Sequence, residues 1–303
     1  MNVPLATKAI PATATWRDYL ALTKPRIISL LLFTTLTAMF VATDKQHHVT
    51  PVLFLAVALG GYMAAGAANT LNMIYDRDID ERMKRTSKRP TVTQTISVRH
   101  ALAFAILLMV GSWSLLWGFA NLLTALLSMA GLAFYVVVYT MWLKRRTRHN
   151  IVIGGAAGAF PPLVGWAAVQ GHLTPMAWLL FAIIFVWTPA HFWALALLIK
   201  DDYSEVGIPM LPVVRGNQVT VTQIVGYTLL TIATTLLPLT LRPVPTGAVY
   251  LIGAALLNAA FLYYNIKLYL KPERPQAMAA FHFSMIYLAL LFLMLAIDRS
   301  LHI

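Results

Sequence analysis

Val52-Leu-Phe-Leu-Ala-Val-Ala-Leu-Gly-Gly-Tyr-Met-Ala-Ala-Gly-Ala-Ala-Asn-Thr-Leu-Asn72-Met-Ile-Tyr-Asp76-Arg-Asp78-Ile-Asp80-Glu81 is an apolar run that ends in a burst of carboxylates. About 20 residues at helical rise cross the hydrocarbon core of a bilayer, so 52–74 reads as a transmembrane helix and the acids as its polar end. The chain repeats the arrangement once: apolar 175–199 is followed by Lys200-Asp201-Asp202-Tyr203-Ser204-Glu205. The two stretches hold seven of the eleven acidic residues. In a chain that is 59% hydrophobic and 11% charged, such clusters call for a cation.

Outward from these stretches, nine candidate spans emerge: 26–43, 52–74, 101–119, 121–142, 151–169, 175–199, 220–240, 246–266 and 280–297. Alternating apolar and polar residues are absent, which excludes a membrane β-barrel. The expected fold class is all-α, a polytopic membrane helical bundle of about nine transmembrane helices. It divides into an N-terminal tail with an interfacial helix (1–25) and a single intramembrane domain (26–303). Residues 16–24 have the aromatic and charged pattern of a short helix lying in the interface. The first 25 residues lack the apolar core of a signal peptide.

With the N-terminus inside, 20 of the 23 Lys and Arg residues fall on the inner side, and only Lys45, Arg242 and Arg299 fall outside. That is a strong positive-inside signal. It accounts for the formal charge of +12 as membrane topology and gives no reason to expect a nucleic-acid partner. The absence of cysteine excludes disulfides and thiolate metal sites. A multi-pass protein of a bacterial cytoplasmic membrane is expected, with its chemistry on the cytoplasmic side where the long charged loops lie.

Asn72, Asp76 and Asp80 recur at i, i+4 and i+8, so on a helix their oxygens share one face. Mg²⁺ takes oxygen ligands and commonly uses one or two carboxylates plus substrate phosphates. Asp201 and Asp202, at the second helix end, would complete a two-sided clamp. Lys84, Arg85, Lys88, Arg89 and Lys144–Arg146 supply positive charge suited to a diphosphate. A solvated helix gives a competing explanation for some of these acids. Asp78–Arg82, Asp80–Lys84 and Glu81–Arg85 are acid-before-base pairs that stabilise a helix by about 0.2–0.5 kcal/mol each. That accounts for Asp78 and Glu81 but leaves Asn72 and Asp76 unexplained. From spacing alone, the chain is an intramembrane enzyme or transporter that uses Mg²⁺ and an anionic substrate.

The Asn72-x-x-x-Asp76-x-x-x-Asp80 motif resembles the first motif of the UbiA superfamily of intramembrane prenyltransferases. Five further stretches resemble its haem-farnesylating branch. These are Leu22-Thr-Lys-Pro-Arg26, Met83-Lys-Arg-Thr-Ser-Lys-Arg-Pro90, Tyr139-Thr-Met-Trp-Leu-Lys-Arg-Arg-Thr147, the Gly-Gly…Pro-Pro run 150–166, and His191-Phe-Trp-Ala-Leu-Ala196 with its continuation to Gly216. The resemblance implies farnesyl diphosphate as donor and haem b as acceptor substrate, with haem O as product, within the lipid bilayer. Haem-pathway or oxidase-assembly proteins are the partners it suggests.

The resemblance further implies that Asn72, Asp76, Asp80, Asp201 and Asp202 hold the metal, and that Tyr139 and Lys144 act with them on the diphosphate. Arg26, Lys84, Arg85, Arg89, Arg145 and His191 would bind substrate. Glu205, four residues after Asp201, keeps the spacing of the second superfamily motif in altered form, while Asp202 best matches the haem-farnesylating branch. Val206 stands where a second aspartate would follow Asp202. Aromatic faces such as Tyr139 or Trp142 would stabilise an allylic cation. Two alternatives remain open: a quinone-precursor or chlorophyllide acceptor, and a cation-coupled transporter, whose acids would sit at midplane rather than at one face.

Overall fold

A computed structural model of the protein describes residues 14–240 and 246–302. The tail 1–13 with Lys8, and Arg242 in the expected outer loop, lie outside the described residues. Among the described residues every regular element is helical. The chain runs through α1 (Trp16–Thr23), α2 (Pro25–Val41), α3 (Pro51–Tyr75), α4 (Arg77–Asp80), α5 (Val98–Phe119) and α6 (Leu122–Ala133). After a π-helical stretch (Phe134–Leu143) come α7 (Asn150–Gly154), α8 (Ala156–Gln170), α9 (Pro175–Leu198), α10 (Lys200–Glu205), α11 (Leu211–Leu236), α12 (Ala248–Leu270) and α13 (Arg274–Ser300). Among the described residues eight helical stretches are long and apolar enough to cross a membrane, or nine if the pair α1–α2, bent by 53°, counts as one span. The bundle is the expected polytopic one.

The differences from the expected boundaries have local causes. Span four is not α-helical throughout: its second half is a π-helix, in which the Lys144 amide reaches back to the Tyr139 carbonyl at 2.8 Å. Span seven starts at Leu211 rather than 220, because one helical turn precedes a break at Gly216 (φ 79°) that only glycine adopts freely. The loop expected at 267–279 shrinks to Lys271–Glu273, since charged ends of α12 and α13 extend past the apolar zone with their long side chains. The i, i+4 ion pairs do not form, because α4 ends at Asp80 and the chain turns away through 81–96.

α9 is the central helix, buried along most of its length and packed on α8, α11 and α13. Small residues set the closest approaches. A Cβ on Gly165 of α8 would stand 2.0 Å from the Thr35 carbonyl oxygen of α2. A smaller cluster (Leu22, Met73, Ile96 and Ala101, with Tyr19 and Phe104 against it) ties α1 and the 81–97 loop to the end of α3. Asn69 secures the α1–α2 bend by donating to the Thr23 carbonyl at 2.8 Å.

At the opposite end, α13 caps α12. The buried Asp298 carboxylate accepts from the amides of Gly247 (2.5 Å) and Tyr250 (3.1 Å). Asp298→Ala strips both amides of their acceptor and is expected to lower stability by about 1–2 kcal/mol. Thermal unfolding in detergent measures this, and an unshifted midpoint would refute the capping role.

Candidate functional site

Between α2, α3, α8, α9 and α13 lies a cavity of about 440 Å³, within the size range of small-molecule sites. One end is ionic and the body is apolar. The ionic end is built where α3 runs into α4, where the π-helix ends, and where α1 bends into α2. It lies at the same end of the bundle as the basic loops.

Asn72, Asp76 and Asp80 are all buried, at 4%, 0% and 2% exposure. α4 continues the line of α3, since the Asp80 amide still reaches the Asp76 carbonyl at 2.9 Å; the three side chains therefore stay close to one face. Asn72 donates to Asp76 Oδ2 (2.7 Å) and to Thr140 Oγ1 (3.2 Å), and its oxygen accepts from Lys24 Nζ (2.9 Å). Lys144 donates to Asp76 Oδ2 and Arg89 to Asp80 Oδ2. Arg145 reaches Asp76 Oδ1 at 3.4 Å and grips Asp78 through two 2.7 Å bonds, its guanidinium 5.0 Å from the Tyr75 ring centre. The hydrogen bonds from Arg145 hold the Asp78 carboxyl below its ordinary pKa, and the same contact raises that of Arg145. Burial raises the Tyr203 hydroxyl, which keeps it a proton donor at the cavity wall.

Arg26, Asn72, Asp80, Arg85, Arg89, Tyr139, Lys144 and His191 line the cavity. Asp76 lies just behind the wall, and Arg145 backs it. Lys84 is exposed and outside the lining. Asp202 is half-buried beside Tyr203, while Asp201 is exposed and faces a separate small cavity with Lys200 and Arg274. The structure thus brings the first acidic stretch and the 139–145 segment together and leaves Asp201 apart. Trp142 is 56% exposed and outside the lining. Tyr135 takes the place expected of it, stacked on Tyr139 with ring centres 5.6 Å apart.

Lys24, Thr140 and Tyr135 were not singled out from the sequence. Lys24 carries a signal: it immediately precedes Pro25, and it adopts φ 55° at the joint between two helices. Tyr135 and Thr140 are five residues apart, and the Thr140 hydroxyl bonds to the Tyr135 carbonyl at 2.9 Å. A 3.6-residue periodicity cannot place that pair.

The donor set fits Mg²⁺. Asp80 and the Asn72 amide line the cavity with the Asp76 carboxylate just behind them, and an ion of that type completes its shell with phosphate oxygens and water. Among the described residues no three His, Asp or Glu side chains converge into an all-protein cage. Lys24, Arg85, Arg89 and Lys144 surround the two carboxylates, so the site carries surplus positive charge for a polyanion. The body of the cavity, with Phe160, Ile184, Trp187, Phe281, Met285 and Leu288, suits a long apolar chain attached to that anion.

An intramembrane bundle with this ionic end and apolar body has the chemistry of a site for lipid-linked anions. The chain belongs to the UbiA prenyltransferase family, whose pattern matches residues 31–293. It is 61% identical over 287 residues to a protoheme IX farnesyltransferase of Thermus thermophilus, covering 95% of this chain but 46% of that protein; the chain thus spans about half the length of that relative. A protoheme IX farnesyltransferase of Deinococcus radiodurans is 53% identical, with 99% of this chain and 98% of the relative covered. Among solved structures, that of a digeranylgeranylglyceryl phosphate synthase aligns with TM-score 0.76 at 18% identity, covering 94% of this chain and 98% of the other. A UbiA homologue from Archaeoglobus fulgidus bound to GPP and Mg²⁺ aligns with TM-score 0.64 at 17% identity, covering 92% and 99%. These likenesses establish the fold.

Proposed function

We propose that the protein transfers the farnesyl group of farnesyl diphosphate to a vinyl group of haem b, giving haem O and diphosphate. The observation that carries this reading is the cavity that joins the buried Asn72–Asp76–Asp80 face to an apolar body that His191 also lines. The names of the relatives point to the same reaction.

Lys24, Arg26, Arg85, Arg89 and Lys144 bind and orient the diphosphate, and Asn72, Asp76 and Asp80 hold Mg²⁺. That ion, when bound, neutralises charge on the departing diphosphate. Arg145 and Lys144 hold the Asp76 carboxylate in place, and Thr140 fixes the Asn72 amide so that its oxygen faces the cavity. The Tyr135 and Tyr139 rings flank the allylic end and favour positive character there. The apolar body excludes bulk water from the donor. The carbon–oxygen bond of the donor breaks with its electrons leaving on diphosphate. The terminal vinyl carbon bonds to the farnesyl carbon. Water adds at the carbon beside the porphyrin and releases a proton.

The positive-inside pattern supports a cytoplasmic position for this ionic end, in what we take to be a bacterial cytoplasmic membrane. Asp202, next to Tyr203, is the acidic residue of the second stretch best placed to contact the diphosphate; Asp201 has the weaker position.

Membranes carrying the protein, supplied with haem b, farnesyl diphosphate and Mg²⁺, are expected to yield a pigment heavier than haem b by one farnesyl group plus water. Mass analysis reads this directly. A product formed with 4-hydroxybenzoate but not with haem would overturn the choice of acceptor. Uptake of a cation into proteoliposomes without any product would overturn the enzyme reading.

A further inference from the structure

On the α9–α13 side of the cavity, the His191 ring is held between two aromatic rings. Trp187 lies 4.4 Å away at 15° and Phe281 4.8 Å away at 22°, with the edge of Phe192 at 5.4 Å. Both faces of the imidazole are covered. It offers the cavity only an edge and therefore cannot serve as a stacking platform for an isoprenoid.

The identity of that edge follows from Ser284. The Ser284 hydroxyl donates its one proton to the Phe281 carbonyl at 2.6 Å. Toward His191 Nδ1, 2.6 Å away, its oxygen therefore accepts, which places the imidazole proton on Nδ1 and the lone pair on Nε2. Trp187 Nε1 donates to the Ser284 carbonyl at 3.2 Å, so one residue of α13 fixes both the tautomer and one wall of the sandwich. Among the described residues Nε2 has no hydrogen-bond partner, and it is not among the buried polar atoms left without one; it is therefore open to the cavity that His191 lines. Metal-ligating histidines are held in this way, the other ring nitrogen donating to a fixed acceptor.

We infer that His191 Nε2 ligates the iron of the acceptor porphyrin and that Ser284 is the positioning residue that holds it in the ligating tautomer. This rests on the reading of haem b as acceptor. It gives the cavity two anchors: the diphosphate beside α3–α4 and the porphyrin iron beside α9–α13.

The test is a titration of the purified protein in detergent with ferric haem b, followed by visible absorption. Wild type is expected to show an imidazole-ligated spectrum. His191→Gly should lose it, and added imidazole should restore it. Ser284→Ala removes the acceptor with little change in volume; it should weaken haem binding about tenfold while leaving farnesyl diphosphate affinity within about twofold of wild type, which a general loss of structure would not do. An imidazole-ligated spectrum in His191→Gly without imidazole overturns the inference, and so does unchanged haem affinity in Ser284→Ala. Product formation by wild type is scored separately. Its absence removes the reaction reading, whereas product alongside unaltered haem spectra in both variants removes only the ligation.

Discussion

Asp76→Asn is expected to cut the rate of prenyl transfer about a thousandfold, the scale seen when one preorganised electrostatic group is lost from an active site. The asparagine keeps the shape of a fully buried side chain but loses the charge that meets Lys144 and Arg145. Lys144 then faces the cavity without its main counter-charge, and the oxygen donor set for Mg²⁺ falls to one carboxylate. Asp78→Asn makes the contrast. Asp78 is mostly exposed and pairs only with Arg145, so its loss should cost less than about tenfold, in line with a solvent-exposed ion pair. Single-turnover rates with saturating haem and farnesyl diphosphate compare the two, with thermal unfolding as the check on folding. An Asp76→Asn enzyme within about tenfold of wild type would sink the assignment of Asp76 to the metal site.

The bundle was legible because apolar length and charge asymmetry are one-dimensional properties. The 52–74 and 175–199 runs and the basic inner loops need no contact information. The Asn72–Asp76–Asp80 face was legible for the same reason, since an i, i+4, i+8 spacing converts directly into a shared surface on a helix. Partners across the bundle were not. The sequence offers Lys84 and Arg82 four residues from the acids, yet α4 ends at Asp80, and the cations that arrive are Arg89, nine residues on, and Lys144 and Arg145, some 68 residues away. The π-helix is a second gap in what the sequence shows. Its wider winding turns Tyr135 rather than Trp142 toward the cavity, and no hydrophobic periodicity announces a change of winding within an apolar run. Ser284 is a third, since a serine in a helix reads as an ordinary small residue until the His191 ring is seen against it.

The Gly-Gly…Pro-Pro segment, one stretch to the eye, separates in the structure into residues with opposite sensitivities, and this yields the second large effect. Gly165→Val is expected to prevent folding or to destabilise by about 3 kcal/mol or more. Its Cβ would fall 2.0 Å from the Thr35 carbonyl oxygen, a backbone atom that cannot move without displacing α2. Small residues at such crossings are what lets membrane helices approach. A Cβ on Gly158, seven residues earlier on the same helix, meets nothing within 4 Å, and Gly158 lines the cavity. Gly158→Leu should therefore leave the unfolding midpoint near wild type while its side chain occupies substrate space. Overpacking of about 1–3 kcal/mol corresponds to roughly 5- to 150-fold weaker substrate binding. Detergent unfolding and binding titrations on the two variants read the contrast: a well-folded Gly165→Val would show that α2 and α8 do not cross this closely, and wild-type substrate affinity in Gly158→Leu would show that the reactants lie elsewhere. Because the two effects fall on different measurements, either can fail without the other: failure of the first denies that α8 forms a packing seam, and failure of the second denies that it walls the reaction chamber.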